Sequence, residues 1–426
     1  MQIFIDFIVY KQQNCYFCAQ IKVQTMEIIS RKHYADKVDS WIGKGNIIVL
    51  VGQRRVGKSF VLKDFIQRHA GNPDANIIYV DKEKRKFGFI KNHEDLGQYI
   101  DEHFIEGKHN YILVDEVQDI DEWERTIISY HTEEQTDIII TGSNSKMLSG
   151  EISTKLSGRY VEIPVQSLSY NEFLLFHGLA DSDDSLRTYL NFGGLPGLRL
   201  IGLEDDEQVW DYLRSVFNTV MLKDVIERHN IRNIPFLNNL IVFLADTIGK
   251  QTSATSISKF MKSEKIDIST NIILDYSSYF TDAKLIDAVK RYDIHGKKLL
   301  DSNRKIYFGD IGLRNLICGG DRESDIEKVI ENVVYQQLLH LGYQVFVGDL
   351  RAGEIDFVCK KPNEVKYVQA AYLIDSDETR KREFGRLLEI KDNYQKYVIS
   401  MTPLVVRRDY EGIQHIGLRE FLVNGF

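Results

Sequence analysis

The stretch whose reading decides the fold is Asn46–Phe60, NIIVLVGQRRVGKSF. Ile47–Val51 is an unbroken apolar run held between glycines, Gly45 and Gly52. Runs of that kind suit a strand buried on both faces of a parallel sheet. The run leads straight into GQRRVGKS, Gly52–Ser59, which fits the spacing G-x-x-x-x-G-K-[ST]. Glycines at those positions let successive backbone N–H groups curl around phosphate oxygens. Lys58 is placed to reach the β- and γ-phosphates, and the Ser59 hydroxyl to ligate Mg²⁺. A helix expected over Ser59–His69 points its positive end at the same phosphates. The nucleotide-binding run is therefore Gly52, Gln53, Arg54, Arg55, Val56, Gly57, Lys58, Ser59 and Phe60.

Outward from this stretch, similar apolar runs recur at Ile77–Val80, Tyr111–Val114, Asp137–Ile140 and Tyr160–Val165, with helical patterns between them. Strands alternating with helices predict a doubly wound α/β sheet, whose ligand lies beyond the carboxyl ends of the strands. The third run ends in YILVDEVQD. Asp115 closes that strand, where an aspartate holds Mg²⁺ through water. Glu116 follows at once and is the candidate base for an attacking water. A plain helix cap is the structural alternative for Asp115. Asn144, in the TGSN that ends the fourth run, is the candidate that positions that water, with a loop turn as its alternative.

These motifs, GQRRVGKS, LVDEVQD, TGSNSKML and LSGRY, together resemble the AAA-type P-loop ATPases of bacteria and archaea. More narrowly, they resemble the prokaryotic family that carries a C-terminal domain of unknown function with a restriction-endonuclease-like core. The resemblance implies ATP rather than GTP, and no guanine-reading N-K-x-D stands in the right place. It makes Asn144 the sensor of the fourth strand and Arg159 an arginine finger, which would require a homo-oligomer if it acts on a neighbour's nucleotide. GGLPG, Gly193–Gly197, is similar to the glycine–proline element of signal-transducing P-loop ATPases, and so implies Pro196 against the adenine. A rigid helix-breaking turn is the simpler reading of the same residues.

The remaining chain divides by pattern. Residues 1–25 are an uncertain N-terminal extension, 26–165 the P-loop ATPase core, 166–235 a helical lid, 236–320 a winged helix-turn-helix and 321–426 a nuclease-like α/β domain. Between Lys250 and Lys298 there are nine Lys+Arg and six Asp+Glu, a local +3. That admits DNA contact through the third helix of the winged helix, with domain packing or a protein client as the alternative. In the last domain Glu331, Asp356 and Gln369 match the carboxylate–aspartate–[E/Q]-x-Lys pattern of the nuclease core, but Ala371 stands where the lysine belongs. Lys360, Lys361 and Lys366 are the nearby substitutes, and the resemblance implies Mg²⁺ on the carboxylates.

Composition limits the function classes. In 426 residues, 54 Lys+Arg against 62 Asp+Glu give a net charge of −8, which excludes a wholesale basic coat for nucleic acid. No apolar run approaches the roughly 18–20 residues of a membrane span. Four cysteines, Cys15, Cys18, Cys318 and Cys359, are too few for a disulfide framework, so the cytoplasm is the expected compartment. Cys15 and Cys18 lack the second pair that a structural zinc site needs. The expected function is Mg²⁺-dependent ATP hydrolysis coupled to conformational switching on DNA or a protein partner. A slow nucleotide-dependent protein-binding switch and an ATP-regulated DNA nuclease are the rivals.

Overall fold

Ile47–Val51 forms strand β1 with every residue buried, as an apolar run with neighbours on both faces must be. The computed structural model describes residues 28–142, 156, 158–320, 325–350, 353–403 and 408–426. Strands β2 (Ala75–Asp81), β3 (His109–Asp115), β4 (Thr136–Gly142) and β5 (Tyr160–Pro164) pair parallel around β1 in the order β2-β3-β4-β1-β5. Side chains alternate across the sheet. Ile48 and Leu50 therefore pack on one side with Leu62 and Phe65 of helix Lys58–His69. Ile47, Val49 and Val51 pack on the other with Leu96, Ile100 and Ile127 of helices His93–His103 and Trp123–His131. The doubly wound sheet stands as expected.

Register brings the strand ends together. Val51 lies beside Gly142 and Pro164, and Asp81 beside Asp115, so one rim of the sheet collects the polar residues that close the strands. Helices Tyr170–His177, Asp183–Phe192 and Asp206–Thr219 then form the lid, and the last continues as a π-helical segment over Val220–Glu227. The first lid helix is started by a capping box, Ser169 with Glu172.

Next come helices Ile234–Asp246, Ala254–Ser263 and Thr270–Asp282, with the short strand β6 (Gln251–Thr252) between the first two. A hairpin of β7 (Ile286–Asp293) and β8 (Lys298–Phe308) follows. The last segment has helix Ile326–His340, then β9 (Gln344–Asp349), β10 (Glu354–Lys361) and β11 (Glu364–Ala371) as an antiparallel meander. Helix Asp377–Leu388 crosses to β12 (Gln395–Ser400), parallel to β11, and β13 (Arg408–Tyr410) and β14 (Ile413–Gly417) complete the edge.

The hairpin and this last sheet are one. β7 pairs parallel with β9, giving nine strands in the order β13-β14-β12-β11-β10-β9-β7-β8-β6 across the division expected at 320/321. The edge of a hairpin carries unpaired N–H and C=O groups, and here the meander satisfies them. Periodicity within a segment carries no information on that pairing. Among the described residues no helix is long and apolar enough to cross a membrane. Cys318 and Cys359 are buried, and the pair Cys15 and Cys18 lies outside the described residues.

Candidate nucleotide-binding site

The loop after β1 is shaped by close approach. A Cβ on Gly52 would overlap the carbonyl oxygen of Val165, so only glycine lets the loop turn against the end of β5. Gly57 is left-handed (φ 97°) and caps helix Lys58–His69. The Lys58 ammonium is 4% exposed and donates to the carbonyls of Gly52 (3.0 Å) and Gln53 (3.1 Å). Burial pushes its pKa down, opposed by the carboxylates of Glu116 and Asp115.

Three side chains and one backbone N–H then form a hydrogen-bonded run. Ser59 Oγ donates to Asp115 Oδ1 at 3.1 Å, and Thr141 Oγ1 donates to the same oxygen at 2.6 Å. Thr141 in turn accepts from the backbone N–H of Glu116 at 2.9 Å. Thr141, at the end of β4, thus fixes both members of the Asp115–Glu116 pair, a role the sequence pattern did not suggest. Burial pushes the Asp115 carboxyl above the usual range, while Thr141 and Ser59 pull it down. Glu116 is left-handed (φ 54°) and 6% exposed, and it accepts from the Gln118 amide. A hydroxyl and a carboxylate oxygen facing each other at this spacing fit a Mg²⁺ ion shared by Ser59 and, through water, Asp115.

Beside the loop lies a cavity of about 340 Å³. Its phosphate end is lined by Arg54, Arg55, Gly57, Lys58, Ser59, Phe60 and Glu116, and its apolar end by Ile29, Ala35, Phe176, Pro196, Leu200 and Ile201. Pro196 therefore shares a cavity with the loop, and its Cγ would lie 3.6 Å from a Cβ on Gly57. Gly52, Gln53 and Val56 face a different cavity, of about 390 Å³, between the core, the hairpin and helix Ile326–His340. The Gln53 amide is buried there, and neither its oxygen nor its nitrogen has a hydrogen-bond partner among the described residues.

Two arginines tie the loop to the lid. Arg31 donates to Val56 O (2.9 Å), Gln166 O (2.9 Å) and both carboxylate oxygens of Glu172 (2.8 Å each). Arg54 makes a forked contact to Asp224 in the π-helical segment, Nε to Oδ2 at 2.9 Å and Nη2 to Oδ1 at 3.3 Å. Arg228 approaches the same carboxylate at 3.5 Å, and its Nη1 is buried without a hydrogen-bond partner among the described residues. The lid is anchored further on: Asp310, after β8, accepts from the N–H of Gly194 at 2.9 Å.

Arg159 stands apart from its own nucleotide loop. Its carbonyl accepts from Ile47 N–H, the start of β1, and its side chain is exposed. Five strand residues at about 3.3 Å each put it about 17 Å from the loop. Asn144 lies outside the described residues.

In the last segment, none of Lys360, Lys361 and Lys366 joins the carboxylates. Lys360 sits over the Tyr292 ring, Lys361 over Tyr343, and Lys366 pairs with Glu364 at 2.9 Å.

A parallel sheet in this order, with a phosphate loop between β1 and the helix that follows it, is the nucleotide-binding P-loop fold. The family model described as "AAA domain" matches residues 44–174, and one described as a domain of unknown function matches 183–324. The chain is 35% identical over 382 residues to an uncharacterised protein of Haemophilus influenzae, covering 88% of this chain and 93% of the relative. It is 28% identical over 364 residues to one of Methanocaldococcus jannaschii, covering 81% and 79%. Among solved structures it is similar to the Walker-type ATPase of Pyrococcus abyssi, at 15% identity and TM-score 0.49, over 70% of this chain and 97% of that one. The chain belongs to the AAA-type P-loop ATPase family whose members carry a second domain of unknown function.

Proposed function

We propose that the protein binds ATP with Mg²⁺ and hydrolyses it, and that the nucleotide state resets the lid and the segments beyond it. The observation that carries this reading is the run Ser59–Asp115–Thr141–Glu116 at the mouth of the loop. A Mg²⁺ ion held here would supply positive charge against that which develops on the transferred phosphoryl group. Ser59 and Asp115 are the residues to hold it. Lys58, now on two loop carbonyls, turns to the β- and γ-oxygens when phosphate arrives. Glu116 takes the proton of the attacking water, its position fixed through its own N–H by Thr141. Asn144 orients that water, and Arg159 serves the nucleotide of a neighbouring copy, since its own is a strand length away. Pro196 and the apolar end of the cavity take the adenine.

Output runs through two buried carboxylates. Asp224 links Arg54 of the loop to the lid, and Asp310 links Gly194 of the lid to the hairpin. The partner at the far end is a protein rather than DNA. Helix Thr270–Asp282, expected in the major groove, carries no Lys or Arg, and its exposed residues are Asn271, Leu274, Asp275 and Ser278. The hairpin cations Lys290 and Arg304 are drawn to Asp301, at 2.8 and 3.8 Å.

Steady-state ATP turnover tests this reading. Glu116→Gln should bind ATP as wild type does while turnover falls at least about a hundredfold, the usual worth of a general base. A Glu116→Gln protein that turns over normally removes the catalytic assignment. Wild-type protein that binds ATP without turnover leaves the slow protein-binding switch. Turnover stimulated by DNA, with affinity falling steeply as salt rises, would reverse the choice of partner.

A further inference from the structure

Glu331 comes from helix Ile326–His340, and Glu354 and Asp356, two residues apart on β10, from one face of the sheet. Glu331 and Asp356 are the carboxylates for which the nuclease resemblance implies Mg²⁺, and Glu354 joins them in the fold. The group at their centre is already a cation. Lys305, from β8 of the preceding segment, places Nζ 2.9 Å from Glu331 Oε1, 3.1 Å from Glu354 Oε1 and 3.2 Å from Asp356 Oδ1, and is 1% exposed. An ammonium has three N–H donors, and here each has a carboxylate. Other donors serve the same cluster. Tyr307 donates to Glu331 at 2.6 Å, Ala370 N–H to Asp356 Oδ2 at 3.0 Å, and Gln369 spends its amide on Glu383 and on Asp356 N–H.

A Mg²⁺ ion demands oxygens at about 2.0–2.1 Å in an octahedron. Set among the same three oxygens, it would share their centre with a buried ammonium, and two cations that close repel strongly where little water screens them. Among the described residues, no group of three or more His, Cys, Asp or Glu is arranged to hold a metal ion. The residues present therefore do not fit the metal that the resemblance implies.

We propose that Lys305 occupies the cation position of this cluster, so that the cluster closes to divalent metal and latches the hairpin to the C-terminal segment. The balance of charge supports the latch. Burial works against the Lys305 ammonium, yet Glu331, Asp356 and Glu354 outweigh it and hold its pKa above the ordinary value. Burial and then Asp356 push the Glu331 carboxyl up to about 7, against the pull of Lys305. With the ammonium removed, three carboxylates would face one another without a counter-charge, which is a strong demand for another cation. The latch joins the same two segments as the shared sheet, since Lys305 stands on β8, whose partner β7 pairs with β9. Opening the site to a metal thus requires Lys305 to leave it.

Mn²⁺ is the probe, titrated by electron paramagnetic resonance into the full chain without nucleotide, with Asp356→Asn as the reference for this cluster. Wild type should take up no Mn²⁺ that Asp356→Asn abolishes, even at millimolar metal. Lys305→Ala should take up one Mn²⁺ per chain at least tenfold more tightly, and the double variant with Asp356→Asn should lose it. Lys305→Met, which keeps the buried stem, replaces Lys305→Ala if that variant does not fold. Asp356-dependent binding of Mn²⁺ by wild type would overturn the proposal, because lysine and metal would then coexist. Folded Lys305 variants that gain no Mn²⁺ would overturn it as well. The wild-type arm needs only Asp356→Asn to fold, and does not depend on the ATPase reading.

Discussion

Replacing Asp224 with asparagine separates structural cohesion from nucleotide affinity at the point where loop and lid meet. The carboxylate is 1% exposed and lies between two guanidinium groups, Arg54 in a forked contact and Arg228 at 3.5 Å. Removing one partner of a buried ion pair costs about 3–5 kcal/mol. Both arginines keep part of their surface in solvent, 16% and 17%, and asparagine keeps one acceptor. The cost therefore falls to about 2 kcal/mol. For a cooperative unit of 150–250 residues that lowers the unfolding temperature by about 4–8 °C. The effect on ATP should have the opposite sign. Arg54 lies in the loop and lines the phosphate end of the cavity, so a guanidinium released from Asp224 can turn to phosphate. A charge-assisted hydrogen bond is worth about 1.5–3 kcal/mol, which tightens Kd by roughly ten- to a hundredfold. Calorimetric titration with ATP–Mg²⁺ and scanning fluorimetry with and without it measure both quantities. A folded Asp224→Asn protein that binds ATP no more tightly than wild type, or that unfolds at the wild-type temperature, refutes the reasoning.

Arg159→Ala should leave ATP affinity unchanged and lower turnover. Mixing it with Glu116→Gln should restore part of the activity, because a mixed assembly pairs an intact base with an intact finger; turnover of Arg159→Ala alone at the wild-type rate would discard the finger. Acid should destabilise the protein in two stages. Burial pushes His340 down from 6.5 to about 4, so the unfolded chain binds that proton first and stability falls as pH drops through this range. Glu172 resists burial through Arg31, which holds its carboxyl down from 4.5 to about 2. Its contribution, about 3 kcal/mol, is complete above the unfolded value and lost as pH falls below it. Chemical unfolding followed from pH 7 to 3 should show both stages, and Glu172→Gln should lack the lower one; an unchanged profile in that variant would remove the Arg31–Glu172 assignment.

The phosphate loop and the strand ends were legible because they are local. A buried strand, a glycine turn and a helix start within fifteen residues have few other ways to fold, so Lys58, Ser59 and Asp115 fall at one rim as the spacing requires. Thr141 was not legible. Threonine ending a strand has many uses, and its hydrogen bonds to Asp115 and Glu116 depend on β4 lying beside β3. Arg31, Asp224 and Arg228 were missed for the same reason, since their partners lie far off in the chain and no periodicity links them.

By itself, the sequence determined the class of chemistry: a run of backbone N–H groups, a lysine and two carboxylates at the ends of parallel strands serve phosphate and its metal wherever they occur together. Tertiary structure alone decided which charges meet. Arg159 was set a strand length from its own loop because parallel pairing aligns the start of β5 with the start of β1. The cation among the carboxylates of the last segment, Lys305, came from another segment because the edge of β7 bonded to β9 and carried β8 over them. Strand edges pair through backbone groups that every residue shares, so the side-chain pattern cannot announce the partner, and the buried charges it brings together appear only in the folded sheet.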